Sequence, residues 1–160
     1  MKKSILFSFL ILGLSLSIFS CGGDDPAPAL KTPEQLAVEN LANDGSATWS
    51  LNNGGSVTKD GTSQTASFTG FEITFNAANE NRTYSTVNSN NIFDANGNWS
   101  VTGNNLDRVI LTGNQPAAGQ EIQFTRSGDN LRLNFTIPMP PAARTTAVAG
   151  TYVMELRKKQ

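Results

Sequence analysis

The chain has 160 residues, 38% of them hydrophobic, and a formal net charge of −1 at pH 7. It contains no histidine and a single cysteine, Cys21, so no intramolecular disulfide can form. The missing histidine removes the commonest general base at neutral pH and a usual zinc or copper ligand. The slightly acidic balance argues against nucleic acid as a partner, because nucleic-acid recognition needs a basic face.

Residues 1–20 have the layout of a secretory signal peptide. Two lysines precede an apolar run from Ser4 to Phe19, and the small residue Ser20 follows at the expected cleavage point. The run is shorter than the roughly twenty residues of a membrane-spanning helix. The segment Ile18–Cys21 resembles a bacterial lipobox, which implies lipidation of the Cys21 thiol and cleavage between Ser20 and Cys21. An ordinary signal peptide with a chance cysteine and an uncleaved anchor are the alternatives.

Residues 21–31 are predicted to form a lipidated cysteine and a flexible tether, because they are rich in Gly, Pro and Ala and cannot bury much apolar surface. Asp24 and Asp25 resemble the acidic export signal of Bacteroidetes-type lipoproteins. That resemblance implies a lipid-anchored protein of the outer membrane that faces the cell surface. The alternative interpretation of the pair is a solvated tether that happens to be acidic.

A short helix is predicted directly after the tether. Thr32–Gln35 combines a capping threonine, a proline at the first helical position and a glutamine three residues after the cap. Asn43–Gly45 ends the helix. We expect the helix to lie against one end of the structure that follows. Its apolar residues are Leu36, Val38 and Leu41.

From Thr48 onward the apolar residues recur at every second position, which is the period of half-buried strands. Turn-forming clusters such as Asn52–Gly55, Lys59–Gly61 and Asn96-Gly97 separate the runs. Residues 32–160 are therefore predicted to form an all-β, antiparallel, eight-stranded up-and-down barrel with one short N-terminal helix; a sandwich is the alternative. The eight apolar runs are Trp49 and Leu51; Phe71, Ile73 and Phe75; Tyr84; Trp99 and Val101; Val109 and Leu111; Ile122 and Phe124; Leu131, Leu133, Phe135 and Ile137; and Tyr152, Met154 and Leu156.

The lipobox, the short helix, Trp49 on the first strand and the final strand Gly150–Leu156 together resemble the lipocalin-like lipoproteins of Bacteroidetes. This resemblance implies the barrel fold and an ability to bind a ligand, without indicating which ligand.

Four aromatic residues are candidate ligand contacts, since cavities favour aromatic side chains accompanied by a few polar groups. They are Trp49, Tyr84, Trp99 and Tyr152, and ordinary core packing is the alternative for each. Arg144, in the proline-rich connection from Pro138 to Ala149, is a further candidate that would meet an anionic ligand at the barrel mouth. The alternative for this connection is a plain crossover loop. Asp94–Asn98 is similar to the opening of a calcium loop but lacks its later ligands, so a hairpin turn is predicted there.

The sequence therefore predicts a non-enzymatic protein without a metal or cofactor. Its partners are predicted to be the membrane, through the lipid anchor, and a small apolar molecule or a surface glycan. The alternative is a structural or accessory subunit of an outer-membrane complex with a filled barrel. An enzyme that uses paired carboxylates ranks last, because the inward strand positions hold no Asp or Glu.

Overall fold

The structure is a computed structural model that describes residues 30–78, 81–139 and 147–160. The described part begins with the helix α1 (Pro33–Ala42), whose N-terminus is the predicted capping box. The Gln35 amide donates to the Thr32 hydroxyl, and the Thr32 amide donates to the Gln35 side chain. The strands and the single described 3₁₀ helix follow in the order β1 (Ser46–Ser50), β2 (Ser56–Lys59), β3 (Thr62–Ser63), η1 (Thr65–Phe68), β4 (Glu72–Asn76), β5 (Thr83–Val87), β6 (Asn96–Thr102), β7 (Arg108–Leu111), β8 (Ile122–Ser127), β9 (Asn130–Ile137) and β10 (Gly150–Lys158).

Eight of these strands close into a barrel. β1 pairs with β4, each strand from β4 to β10 pairs with the next, and β10 pairs back with β1. Every pairing is antiparallel, so the predicted eight-stranded antiparallel barrel with one short helix is confirmed. Closure satisfies the backbone groups that an open sheet would leave at its edges.

The β2–β3 hairpin and η1 were not predicted. β1 and β2 pair with successive parts of the same edge of β10, for example Trp49 with Lys158 and Val57 with Met154. Residues 51–55 form a turn between the two strands, closed by a 3.0 Å hydrogen bond from the Gly55 amide to the Leu51 carbonyl. The segment from Ser56 to Phe68 has few large apolar residues, so no alternation marks it in the sequence.

The barrel has two ends that differ in how they are covered. α1 packs against β1, β4, β6 and β8 at the end where β4, β6, β8 and β10 finish. We call this the helix end. Leu41 and Ala42 of α1 are fully buried there, whereas Leu36 is 49% exposed. The opposite end carries the β2–β3 hairpin and the β5–β6, β7–β8 and β9–β10 connections, and we call it the hairpin end.

Large side chains fill the barrel interior. All eight barrel strands contribute buried residues to one continuous core. An aromatic row crosses the hairpin end: Phe71 packs on Phe93, Phe93 on Phe135 and Phe135 on Tyr152, with ring centres 5.8, 5.4 and 5.3 Å apart. An eight-stranded barrel is just wide enough for side chains to fill it, and this row shows that they do so at the hairpin end.

Asn96-Gly97 forms the first two residues of β6, so the predicted turn at this position is wrong. Gly97 pairs with Tyr84 across the ladder. A Cβ atom on Gly97 would lie 2.7 Å from Cε1 of the Tyr84 ring and 2.6 Å from the Thr112 carbonyl oxygen. The glycine is therefore needed for the close approach of a ring, which the local sequence does not distinguish from a turn.

Candidate functional site

The two tryptophans lie in the core at the helix end. Trp49 is fully buried, and its Nε1 donates a 2.7 Å hydrogen bond to the Leu41 carbonyl at the end of α1. Trp99 is 3% exposed, and its Nε1 donates to the carbonyls of Asn76 and Thr83 at 3.1 and 2.9 Å. Because each indole N–H already has a partner in the protein, both residues act as packing anchors.

Two arginines join the tryptophans to α1. The guanidinium carbon of Arg126 lies 5.4 Å from the centre of the Trp49 ring, and Nη1 of Arg126 donates to the Glu39 carbonyl at 2.9 Å. Arg82 lies 5.6 Å from the centre of the Trp99 ring and donates to the Glu34 carboxylate at 2.8 Å. A cation near the last turn of α1 and a paired carboxylate in its first turn also suit the helix dipole. These contacts attach α1 to the barrel, so that the helix covers its helix end.

The Tyr84 side chain is buried and belongs to the barrel core. Its ring crosses Gly97, and its hydroxyl donates a 2.7 Å hydrogen bond to the Thr112 carbonyl. Burial, together with the negative charge of Asp94, raises the pKa of Tyr84 to about 12. The phenol is therefore a fixed neutral donor at physiological pH.

Tyr152 is the one of the four aromatic candidates that meets a cleft at the hairpin end. Its ring stacks on Phe135 at an interplanar angle of 8°, and its hydroxyl donates to the Val148 carbonyl at 2.9 Å. Burial, and to a smaller extent the charge of Asp60, raises the pKa of Tyr152. The four aromatic candidates are therefore distributed along the barrel and do not line one common pocket.

The hairpin-end cleft has a volume of about 320 Å³ and draws its walls from β2, η1, β10 and two connections. Apolar side chains, including Phe68, Ile92 and Tyr152, form its buried floor. Polar side chains stand at its edge, and the Lys59 ammonium donates to the Ala147 carbonyl at 2.6 Å. The lining residues are Lys59, Gln64, Phe68, Asn90, Asn91, Ile92, Ala147, Val148 and Tyr152.

The two asparagines of this cleft belong to a tightly held loop between β5 and β6. Asn88, Asn90 and Asn91 have positive φ angles of 54°, 50° and 57°, a region in which asparagine is enriched. The Ile92 amide donates to the Ser89 carbonyl at 3.0 Å, and the Asn88 side-chain amide donates to the Gly70 carbonyl at 3.1 Å. The loop therefore presents exposed Asn90 and Asn91 from a fixed backbone.

Asp94 holds the neighbouring β7–β8 connection. Its carboxylate accepts hydrogen bonds from the Asn114 and Gln115 amides, each at 2.9 Å, and the Gly113 backbone passes so close that a Cβ there would collide with it. Ala117 of this connection is fully buried, and its amide donates to the Ile92 carbonyl at 3.0 Å. The Asp94 carboxylate thus fixes the β7–β8 connection, which in turn contacts Ile92 of the cleft.

The hairpin-end cleft was missed from the sequence, apart from Tyr152. The cluster of asparagines from Asn88 to Asn91 is the feature that would have indicated a special loop there. Ser20, Cys21, Asp24, Asp25 and Arg144 lie outside the described residues.

Within residues 30–78, 81–139 and 147–160, no group of three or more His, Cys, Asp or Glu side chains is placed to hold a metal ion. Over the same ranges, no helix combines the length and hydropathy needed to cross a bilayer. No family model, curated protein or solved structure matches the chain.

Proposed function

We propose that this protein is a lipid-anchored outer-membrane protein that binds, without catalysis, a small polyhydroxylated ligand such as the end of a surface glycan. The observation that supports this proposal is the hairpin-end cleft, in which a buried apolar floor is bordered by side-chain amides and one ammonium group. Small-molecule sites are commonly concave, mostly apolar and equipped with a few well-placed polar groups, and they occur at the mouths of β-barrels.

The chemistry of the cleft favours a sugar over a purely apolar molecule. The amides of Gln64, Asn90 and Asn91 can each donate and accept hydrogen bonds, as sugar hydroxyls also do. The apolar floor offers a surface for the C–H face of a sugar ring. An apolar ligand would need interior volume instead, and the aromatic row from Phe71 to Tyr152 occupies that volume at this end.

The cleft size limits the ligand. Its volume of about 320 Å³ is near the lower end of the roughly 300–1,000 Å³ typical of small-molecule pockets. One or two sugar rings are therefore the expected occupant.

A lipid anchor at Cys21 is the second part of the proposed function. Lipidation of Cys21 would tether the domain firmly, because several acyl chains bind a bilayer far more strongly than one. Within the described residues, Lys31 pairs with Glu39 of α1 at the helix end, whereas the cleft lies at the hairpin end. The acidic pair Asp24 and Asp25 supports export to the cell surface, where surface glycans are available.

A panel of neutral and charged surface glycans, tested against the full-length protein in detergent, measures the proposed activity. Asn90→Gly and Asn91→Gly remove the amides while keeping the positive φ that glycine adopts freely. Asn53→Gly is the matched control, because Asn53 also has a positive φ, of 65°, and lies outside the cleft. We expect both cleft variants to lose binding and the control to retain it. Absence of binding across the panel, or equal binding by all three variants, would contradict the proposal.

The second candidate is a structural or accessory subunit of an outer-membrane complex, and the filled interior is the observation that favours it. A solid barrel can support a partner through its outer surface without a ligand. Chemical cross-linking in intact cells, followed by purification of the full-length protein, distinguishes the two. A stoichiometric outer-membrane protein that is retained by the Asn90→Gly and Asn91→Gly variants would support the accessory role.

A further inference from the structure

The sequence contains two Asn-Gly pairs, Asn53-Gly54 and Asn96-Gly97, and the structure places them in opposite environments. Asn53-Gly54 lies in the exposed turn between β1 and β2, whereas Asn96-Gly97 forms the first two residues of β6 and is paired with β5. We propose that Asn53 is a site of spontaneous deamidation in the folded protein and that Asn96 is protected from the same reaction.

The reaction requires only the protein and water. The backbone nitrogen of the glycine attacks the carbonyl carbon of the asparagine amide, an N–C bond forms, and the original amide C–N bond breaks with release of ammonia. Water then opens the resulting cyclic imide on either side, giving aspartate or isoaspartate. Glycine favours the attack because it has no Cβ to obstruct the ring closure, and the glycine nitrogen must be free to approach.

Asn53-Gly54 meets these conditions. Asn53 is exposed, and a Cβ built on Gly54 would meet no atom within 4 Å. The amides on either side are engaged, with Asn52 donating to the Ser50 hydroxyl at 3.1 Å and Gly55 donating to the Leu51 carbonyl at 3.0 Å. Among the backbone hydrogen bonds of the described residues, none uses the Gly54 amide. The attacking nitrogen is therefore available while the turn around it is held in place.

Asn96-Gly97 does not meet these conditions for ring closure. β6 lies between β5 and β7 in the barrel, and Gly97 is paired with Tyr84 across the ladder. The Tyr84 ring and the Thr112 carbonyl press against Gly97, at 2.7 and 2.6 Å from the position that a Cβ would take. The ring closure would require this part of β6 to leave the sheet. Local protection by the barrel should therefore suppress the reaction at Asn96.

The surroundings of Asn53 accommodate the product. Asn53 lines a shallow cleft at the helix end together with the cationic residues Arg157, Lys158 and Lys159 and one carboxylate, Asp129. Deamidation adds a negative charge to this cationic surface, and Asn53 itself is exposed and lies outside the buried core. We expect the fold to be retained after the reaction.

Peptide mapping of the full-length protein after timed incubation at mildly alkaline pH tests the inference. Trypsin releases residues 32–59 and 83–108 as separate peptides, one for each Asn-Gly pair. Digestion at mildly acidic pH avoids deamidation during sample handling, and fragmentation spectra assign the modified asparagine. Isoaspartate methyltransferase labelling identifies the isomerised product.

In the folded protein, we expect product to accumulate at Asn53 while Asn96 stays intact. In denaturant both sites should react, so the ratio of the two rates falls toward one. An Asn53→Gly variant should show no product in peptide 32–59 at this position. Equal rates at the two sites in the folded protein would overturn the inference, as would a folded protein in which Asn53 stays intact while the denatured protein reacts.

Discussion

The guanidinium carbon of Arg126 lies 5.4 Å from the centre of the Trp49 indole, and the same guanidinium donates to the Glu39 carbonyl of α1. Trp49 in turn donates to the Leu41 carbonyl of the same helix. One arginine and one tryptophan from two different strands thus attach the helix to the barrel end. This arrangement turns an isolated helix of marginal stability into part of the core.

Replacing Arg126 should therefore destabilise the fold. Arg126→Met keeps much of the aliphatic packing but removes the cation over Trp49 and the hydrogen bonds to α1. We expect a loss of about 2 kcal/mol in the free energy of unfolding, since hydrogen bonds of charged groups contribute roughly 1.5–3 kcal/mol each. Urea denaturation measures the change. Arg132→Met is the control: its ion pair with Glu155 is exposed, so a loss under about 1 kcal/mol is expected. Similar losses for the two variants would contradict the anchoring role.

Gly97→Ala should destabilise the barrel through steric contact. The added methyl would lie 2.7 Å from the Tyr84 ring and 2.6 Å from the Thr112 carbonyl, so the strand or the ring must shift. Overpacking of this kind costs about 1–3 kcal/mol. Ser100→Ala, at an exposed position of the same strand, is the control and should change stability by less than about 0.5 kcal/mol. Thermal and urea unfolding measure both variants, and an unchanged Gly97→Ala protein would refute the packing argument.

The raised pKa of Tyr84 predicts lower stability at high pH. The folded state holds the phenol proton up to a pKa of about 12, while an unperturbed tyrosine releases it near 10.0. Between these values the folded state binds more protons than the unfolded state, so the free energy of unfolding falls as pH rises. The contribution is complete below pH 10 and is lost as pH approaches 12.

Tyrosinate absorbance checks this prediction directly. The protein has two tyrosines, so Tyr152→Phe leaves Tyr84 as the single titrating phenol. We expect its midpoint well above that of the same protein in denaturant. Coincident titration curves in the folded and denatured states would contradict the prediction that burial and the charge of Asp94 raise the pKa of Tyr84.

The anchor proposal predicts a change of cellular fraction. Cys21→Ser removes the thiol that would carry the lipid, so the protein should leave the membrane fraction and lose metabolic labelling by palmitate. Fractionation and labelling of the full-length protein measure both effects. Retention of Cys21→Ser in the membrane would favour an uncleaved N-terminal anchor.

The proposed export signal predicts a change of surface exposure. Protease shaving of intact cells that carry Asp24→Ala/Asp25→Ala tests export, and unchanged surface exposure would indicate a merely solvated tether.

Much of the fold follows from short-range patterns. The capping residues Thr32 and Gln35 make their hydrogen bonds within one turn, so the helix start could be predicted from adjacent residues. Alternation such as Leu131 to Ile137 arises because successive side chains of a strand point to opposite faces, and β9 shows this pattern along its length. The same logic failed for β2 and β3, where small polar residues conceal the alternation.

The candidate site could not be predicted in the same way, because it depends on contacts between distant parts of the sequence. Lys59, Asn91 and Tyr152 meet at one cleft although they belong to a hairpin, a loop and the last strand. Tyr152 was predicted as a ligand contact on its residue type alone. Lys59 carries no local pattern that separates it from other surface residues, and the asparagine cluster around Asn91 indicates a special loop without showing which distant residues that loop meets.

The sequence by itself determined the helix and the eight barrel strands, because each depends on residues close to one another in sequence. The lipid anchor at Cys21 stays a prediction. The tertiary structure decided that Asn96-Gly97 is part of a strand while Asn53-Gly54 is a turn. It also decided that the aromatic side chains fill the barrel and that the cleft lies at the hairpin end. The physical reason is that closure of the barrel brings β10 back onto β1 and β2, and only that closure sets which distant side chains touch.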